Sequence, residues 1–305
     1  MRAIIAAPAE GGYRCVERSL PEPKPGELVV ALGAAGICRT DLAAARGLMG
    51  VAHGRVLGHE ASGVVLAGDA ALVGRRVTVV PLVPCARCVG CHAEPGAPWA
   101  CTAPRWLGLD LDGVFVEKLV VPTAQVLVVP EHVGEREAAF VEPLAAALAV
   151  LDAPLSGALA IHGDNRIARL IARVLEATGH VAARVTPGDD ARYDVVIETT
   201  TRDLDDALVA LRPGGVLVAK SRPAARPSLD WRLLVHKALR IYGVRYAPFP
   251  TALIWLAERR VRVDDLFGPS YPLHAAAAAF ARAETDEDLK LFFEPTAPTR
   301  PAPAG

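Results

Sequence analysis

Apolar and polar positions alternate over residues 1 to about 35, in Ala3-Ile4-Ile5 and again in Glu27-Leu28-Val29-Val30-Ala31-Leu32. Pro21, Pro23, Pro25 and Gly26 punctuate the gap between them. A two-residue period between turn formers reads as strands. Residues 62–66 and 76–80 continue it, and a glycine-rich, all-strand opening suggests a small, partly closed β-barrel. The alanine-rich run 135–149 predicts a helix, with Pro143 best placed in an early turn. From about residue 151 the period changes. Ala158-Leu159-Ala160-Ile161, Gly163 and helical spacing over 167–177 read as strand, turn and helix, the opening of a dinucleotide-binding unit. Residues 193–198 then predict a strand, 203–211 a helix, 212–215 a turn and 216–219 another strand. Strands alternating with helices imply a parallel sheet, so the fold class is α/β.

At 305 residues the chain is long enough for two cores. Its net charge of −1 offers no general attraction to nucleic acid or an anionic membrane. Charged residues interrupt every apolar run before it reaches spanning length, and the start lacks a signal-peptide pattern, so a cytoplasmic protein is expected.

Candidate chemistry is concentrated from Gly36-Ile37-Cys38-Arg39-Thr40-Asp41 to Gly58-His59-Glu60. Cysteine and histidine are preferred zinc ligands, and a catalytic zinc takes three protein ligands with one position open. Cys38 and His59 supply two candidates; Glu142, a lone acid in an apolar run, is a third. Four of six cysteines fall between residues 85 and 101, and in a chain of this kind a metal site is a better reading than disulfides. Cys85, Cys88, Cys91 and Cys101 can wrap a tetrahedral zinc that has no open position. The bland alternative is four reduced, inert thiols.

Gly-Ile-Cys-x-Thr-Asp, Gly-His-Glu-x-x-Gly and Glu-Pro-Leu together resemble the zinc-dependent medium-chain dehydrogenase/reductase family, which includes alcohol, polyol and threonine dehydrogenases. The resemblance implies a GroES-like catalytic domain over 1–150, with 266–294 folding back onto it. It also implies a Rossmann-type domain over 151–265; the proline-rich 295–305 reads as a disordered tail. By resemblance Cys38, His59 and Glu142 are the catalytic zinc ligands, Glu60 approaches the metal during ligand exchange, and Thr40 relays the substrate proton. The C-x2-C-x2-C spacing matches the family's structural-zinc lobe, although Cys101 arrives about two residues late, with His92 a conceivable substitute.

The cofactor turn departs from the family pattern. Of the three expected glycines only Gly163 remains in Gly163-Asp164-Asn165-Arg166-Ile167-Ala168. Asn165 stands where the pyrophosphate would pass, and its tolerance of left-handed backbone angles would preserve the turn. Arg166 offers compensating charge. No acid ends the second strand, 180–186; Thr186 is nearest, with Asp189 and Asp190 beyond, and Arg184 can point either way. The chain then reaches the next strand so soon that one βα unit is missing. Expected cofactors are therefore one catalytic and one structural zinc with NAD or NADP. The partner is a small alcohol or carbonyl substrate, and the resemblance adds a homodimer or homotetramer. Intact zinc ligands beside a depleted turn also leave open a redox-neutral lyase, isomerase or cyclase, or a non-catalytic member.

Overall fold

The computed structural model describes residues 1–93 and 97–295. The expected tail therefore lies, apart from Pro295, outside the described residues. The chain forms two compact units: Met1–Glu142 with Pro248–Glu258 and Val263–Gly305, and Pro143–Ala247 with Arg259–Arg262.

The first unit opens with a hairpin of β1 (Arg2–Ala7) and β2 (Gly12–Glu17), followed by the long β3 (Glu27–Gly36) and α1 (Arg39–Ala45). Then come β4 (Glu60–Ala67), β5 (Arg76–Val79), β6 (Leu82–Val83), α2 (Val89–Ala93), β7 (Arg105–Trp106), β8 (Lys118–Pro122), β9 (Val126–Val128) and α3 (Glu135–Ala139). The helix expected over 135–149 is split. A proline cannot donate to the carbonyl four residues back and its ring collides with it. Pro143 therefore breaks the run at Phe140, and α4 (Val141–Leu148) starts anew with Pro143 in its first turn.

The second unit holds β10 (Leu159–His162), α5 (Arg166–Ala177), β11 (Ala182–Arg184), β12 (Tyr193–Glu198), α6 (Leu204–Ala210), β13 (Leu211–Ala219), α7 (Trp231–His236) and β14 (Arg240–Gly243). Its five strands run parallel in the order β11-β10-β12-β13-β14. Only residues 185–192 join β11 to β12, without helix or strand, so the sheet lacks one βα unit, as the short connection predicts. Asp189 closes that connection, accepting from Thr186 N (2.9 Å), Thr186 Oγ1 (3.1 Å), Arg192 (2.6 Å) and Tyr193 Oη (3.2 Å). The turn expected over 212–215 is absorbed into the start of β13 as a register shift, with Leu211 opposite Tyr193 and Val216 opposite Val195.

The chain returns to the first unit with α8 (Phe249–Ala257), β15 (Phe267–Tyr271), α9 (Ala276–Thr285) and β16 (Lys290–Phe293). There the main sheet runs β15-β16-β3-β4-β5-β9, with β8 also on β3. β3 pairs with β8 along Glu27–Ala31 and with β16 at Ala35 and Gly36, and bulges on its β4 side bend it between the two. A bent, three-partner strand curls a sheet into a partly open barrel. Leu28, Leu32, Phe115, Phe280 and Phe293 fill it, the Phe115 and Phe293 rings meeting edge-on at 4.9 Å. Among the described residues no helix is long and apolar enough to cross a membrane.

Candidate functional site

Antiparallel pairing sets Gly36 of β3 opposite Glu60 of β4. Cys38, two residues past one strand, therefore meets His59, one residue before the other. Gly58 makes this approach possible: its φ of +95° suits glycine, and a Cβ there would strike the Phe115 ring. Asp41, in the first turn of α1, ties the two loops together by accepting from Cys38 N (2.8 Å) and Gly58 N (3.1 Å). Its Oδ1 also lies 3.3 Å from His59 Nδ1, without hydrogen-bond geometry.

Cys38 Sγ, a His59 ring nitrogen and a Glu60 carboxylate oxygen all lie within 4.8 Å of one another. His59 is 1% exposed, and neither ring nitrogen has a hydrogen-bond partner. A buried imidazole without partners costs free energy that a metal ion would recover, and the thiol, imidazole and carboxylate suit zinc. Burial alone would push the imidazole down, but the Asp41 carboxylate and the Cys38 thiol hold it well above the usual histidine value. Metal binding here therefore displaces a proton. Thr40 Oγ1 is 3.7 Å from Cys38 Sγ. Glu142 is buried in the first turn of α4, outside the tight group but close enough for its charge to act on Glu60.

Glu60 has a partner that sequence reasoning missed. Lys290, at the start of β16 and 1% exposed, donates from Nζ to both Glu60 oxygens at 2.6 Å and to Ile37 O at 3.2 Å. Burial pushes the Glu60 carboxyl up, the Lys290 ammonium pulls against this, and the Glu142 charge adds to the rise. The available signal was a single lysine inside Leu289-Lys290-Leu291-Phe292-Phe293, a charge in an apolar run like Glu142.

The four lobe cysteines also come together, with Cys88 Sγ 3.5 Å from Cys91 Sγ and 3.9 Å from Cys101 Sγ, and Cys85 Sγ 4.0 Å from Cys91 Sγ. Cys101 reaches the group despite its late place, through a single turn of 3-10 helix at Pro98–Ala100, while His92 is exposed. Pro95, expected in the altered loop, lies outside the described residues. Thr102 and the Cys91 N–H pull the Cys88 thiol down to about 5, and burial pushes Cys91 up to about 11. Four thiols packed this closely without a disulfide fit a closed zinc site. Cys101→Ser is expected to release one zinc equivalent and lower the melting temperature while the Cys38 site stays loaded. Metal analysis showing full zinc retention would mean that His92 completes the set.

In the second unit, the carboxyl ends of β10 and β12 flank the point where strand order reverses, the usual ligand crevice of such sheets. Gly163 has φ +114°, and a Cβ there would crowd Thr199 and Thr200. Asn165 is not left-handed as expected. It caps α5 in extended geometry (φ −148°), because an N-cap residue sits outside the helical region. Its Oδ1 accepts from Ala168 N (3.0 Å) and its Nδ2 donates to Thr199 O (3.2 Å) and Oγ1 (3.3 Å). Arg166 and Ile167 begin α5. Asp164 Oδ2 lies 2.5 Å from Arg184 Nη1, so Arg184 reaches over the glycine turn. Thr186 is bound to Asp189, which is engaged in its own loop. Two buried groups at this edge were missed: His162, whose Nδ1 has no partner, and Glu198, which takes Ser221 Oγ at 2.5 Å. Both end strands that read from sequence as plain core. A glycine turn, a helix N-terminus, a basic side chain and an orphaned buried nitrogen fit a dinucleotide, with Asn165 crowding it.

Comparison with known proteins agrees. The family profile described as "Alcohol dehydrogenase GroES-like domain" matches residues 24–131. The starvation-sensing protein RspB of Escherichia coli is 28% identical over 89% of this chain and 92% of its own. L-threonine 3-dehydrogenase of Pyrococcus furiosus is 27% identical over 80% of this chain and 82% of its own. The chain carries this GroES-like domain and is similar over most of its length to medium-chain dehydrogenases/reductases. It is an oxidoreductase of the zinc-binding alcohol dehydrogenase type, with the GroES-like and Rossmann parts that type combines. Among solved structures, the rspB alcohol dehydrogenase of E. coli, complexed with NADH, has a TM-score of 0.82 at 24% identity, covering 96% of this chain and 99% of its own. A Sinorhizobium meliloti protein assigned as a zinc-binding dehydrogenase, bound to NADP, has a TM-score of 0.80 at 25% identity, covering 96% and 99%.

Proposed function

We propose that this chain interconverts an alcohol or polyol with its carbonyl, holding zinc on Cys38, His59 and Glu142 and using NADP(H). The buried, unpartnered imidazole of His59 beside the Cys38 thiol carries that reading. Bound there, zinc supplies Lewis-acid polarisation of the substrate oxygen, and a nicotinamide nucleotide supplies or accepts the hydride. The chain's own groups do the rest. Asp41 fixes the loops that present Cys38 and His59. Thr40, its hydroxyl next to the Cys38 sulfur, relays the alcohol proton, accepting it while passing its own hydroxyl proton on towards ribose and solvent. Lys290 grips both Glu60 oxygens and so leaves the third ligand position to Glu142. The test is titration of the zinc-loaded protein with NADPH and NADH, followed by nicotinamide fluorescence. Saturable binding supports the reading; binding of neither overturns it.

NADP(H) is favoured by the end of β11. An acid there would hold the ribose hydroxyls of NAD, whereas an arginine accommodates the 2′-phosphate. This chain has Arg184, whose ion pair with Asp164 points it over the turn. A charge-assisted hydrogen bond contributes about 1.5–3 kcal/mol, or roughly ten- to a hundredfold in affinity. Arg184→Ala is therefore expected to weaken NADPH by about that factor and leave NADH nearly unchanged. Equal losses for both nucleotides would contradict it.

The exposed edge of β14 suits a second copy of the chain. All four of its residues are exposed, Ile241 and Tyr242 among them, beside exposed Trp231 and Val235 of α7. An unpaired apolar edge is a template for strand pairing. Sedimentation is expected to show a dimer or tetramer that Ile241→Lys dissociates; a wild-type monomer at micromolar concentration would refute it.

A further inference from the structure

Asp164 and Asn165 each make, with their own side chains, a contact that a dinucleotide's phosphates would make. Asp164 sets a carboxylate on Arg184, the cation that faces a 2′-phosphate in the reading above. Asn165 sets its amide oxygen on Ala168 N, one of the α5 N–H groups that an anion at the helix N-terminus would meet. We propose that these two side chains are built-in stand-ins for the 2′-phosphate and the pyrophosphate. Nucleotide binding is then a displacement rather than a simple docking.

The two stand-ins differ in grip. The Asp164–Arg184 pair is more than half exposed on both sides, so solvent screens it and a phosphate, with its greater charge, replaces it readily. Asn165 is held by three hydrogen bonds and bridges the glycine turn to Thr199 at the end of β12. Thr199 is buried and donates from Oγ1 to His162 O at 2.9 Å, so the bridge is anchored at both strands that frame the crevice. Where other dinucleotide turns have a glycine with nothing to move, this chain must release an amide. Asn165 therefore weakens NADPH and NADH alike, whereas Asp164 weakens only the nucleotide that carries a 2′-phosphate.

The inference rests on the dehydrogenase reading, and equilibrium titration of the full-length zinc-loaded protein separates the two. NADPH and NADH are titrated into wild type, Asp164→Asn and Asn165→Gly, with nicotinamide fluorescence as readout. Glycine is itself tolerated at an N-cap, so the second variant keeps its helix, and thermal melting confirms the fold of each. Asn165→Gly is expected to tighten both nucleotides by a similar factor of about five or more. Asp164→Asn is expected to tighten NADPH by about that factor and leave NADH within twofold. If wild type binds and neither variant tightens it, the stand-ins are refuted while the dehydrogenase reading survives. Weaker binding in Asn165→Gly would show that the amide serves the nucleotide, which also refutes them. If no protein binds either nucleotide, the dehydrogenase reading itself fails. Binding by Asn165→Gly alone would show that the amide blocks the turn outright in the wild type, which overturns the displacement together with the dehydrogenase reading.

Discussion

Replacing Glu142 with alanine is expected to remove one zinc equivalent and lower kcat/KM by about a thousandfold or more. Zinc in an open site contributes several kcal/mol of charge stabilisation, and about 4 kcal/mol corresponds to three powers of ten in rate. The structure makes the choice of ligand a real question. The tight donor group holds Cys38, His59 and Glu60, with Glu142 outside it. Yet Glu60 is bonded through both oxygens to Lys290, so coordination by Glu60 would break a buried ion pair. Glu142 is buried beside it, and its charge bears on Glu60. Metal analysis with steady-state kinetics decides the matter. If Glu142→Ala keeps its full zinc and most of its activity, Glu60 is the third ligand and Lys290 yields to the metal. Activity lost with zinc retained would instead give Glu142 a role in substrate contact.

Lys290→Met is expected to cost about 3–5 kcal/mol of folding stability, the usual penalty for stranding one member of a buried ion pair. Glu60 and Lys290 are each 1% exposed, so neither charge can turn to water. The loss should depend on pH in a defined direction. Burial already raises the Glu60 carboxyl, and removing the ammonium that opposes this raises it further. A folded-state carboxyl raised above its unfolded value, about 4.3, binds a proton in the native state that the unfolded chain has released. Such a group destabilises the fold progressively as pH rises past that value. The deficit of Lys290→Met is thus smallest in acid and grows toward neutrality, as urea unfolding at several pH values would show. Lys290→Met combined with Glu60→Gln should recover most of it. A cost below about 1 kcal/mol, or one independent of pH, would mean that the pair is solvated.

Local pattern alone determined much of this protein. Alternation placed β3, β4 and β5, helical spacing placed α5, and Pro143 marked the start of a helix, because strand and helix periods and the missing proline N–H act within a few residues. The lost βα unit was legible as well, since residues 185–192 are too few to build one. Cysteine spacing announced the lobe for the same short-range reason. What only the tertiary structure decided involves partners distant in the chain or the direction of a side chain. Lys290 meets Glu60 across 230 residues through β16 and β3. Nothing near Lys290 encodes that partner. Asn165 could be read as a left-handed turn residue or a helix cap, and Thr199, from another strand, completes the hydrogen bonds that go with capping. Arg184 could face either side of its strand until Asp164 fixed it. Periodicity reports which positions are buried or turn; it carries no information on which buried charge answers another, because that is set by the strand pairing of the assembled sheet.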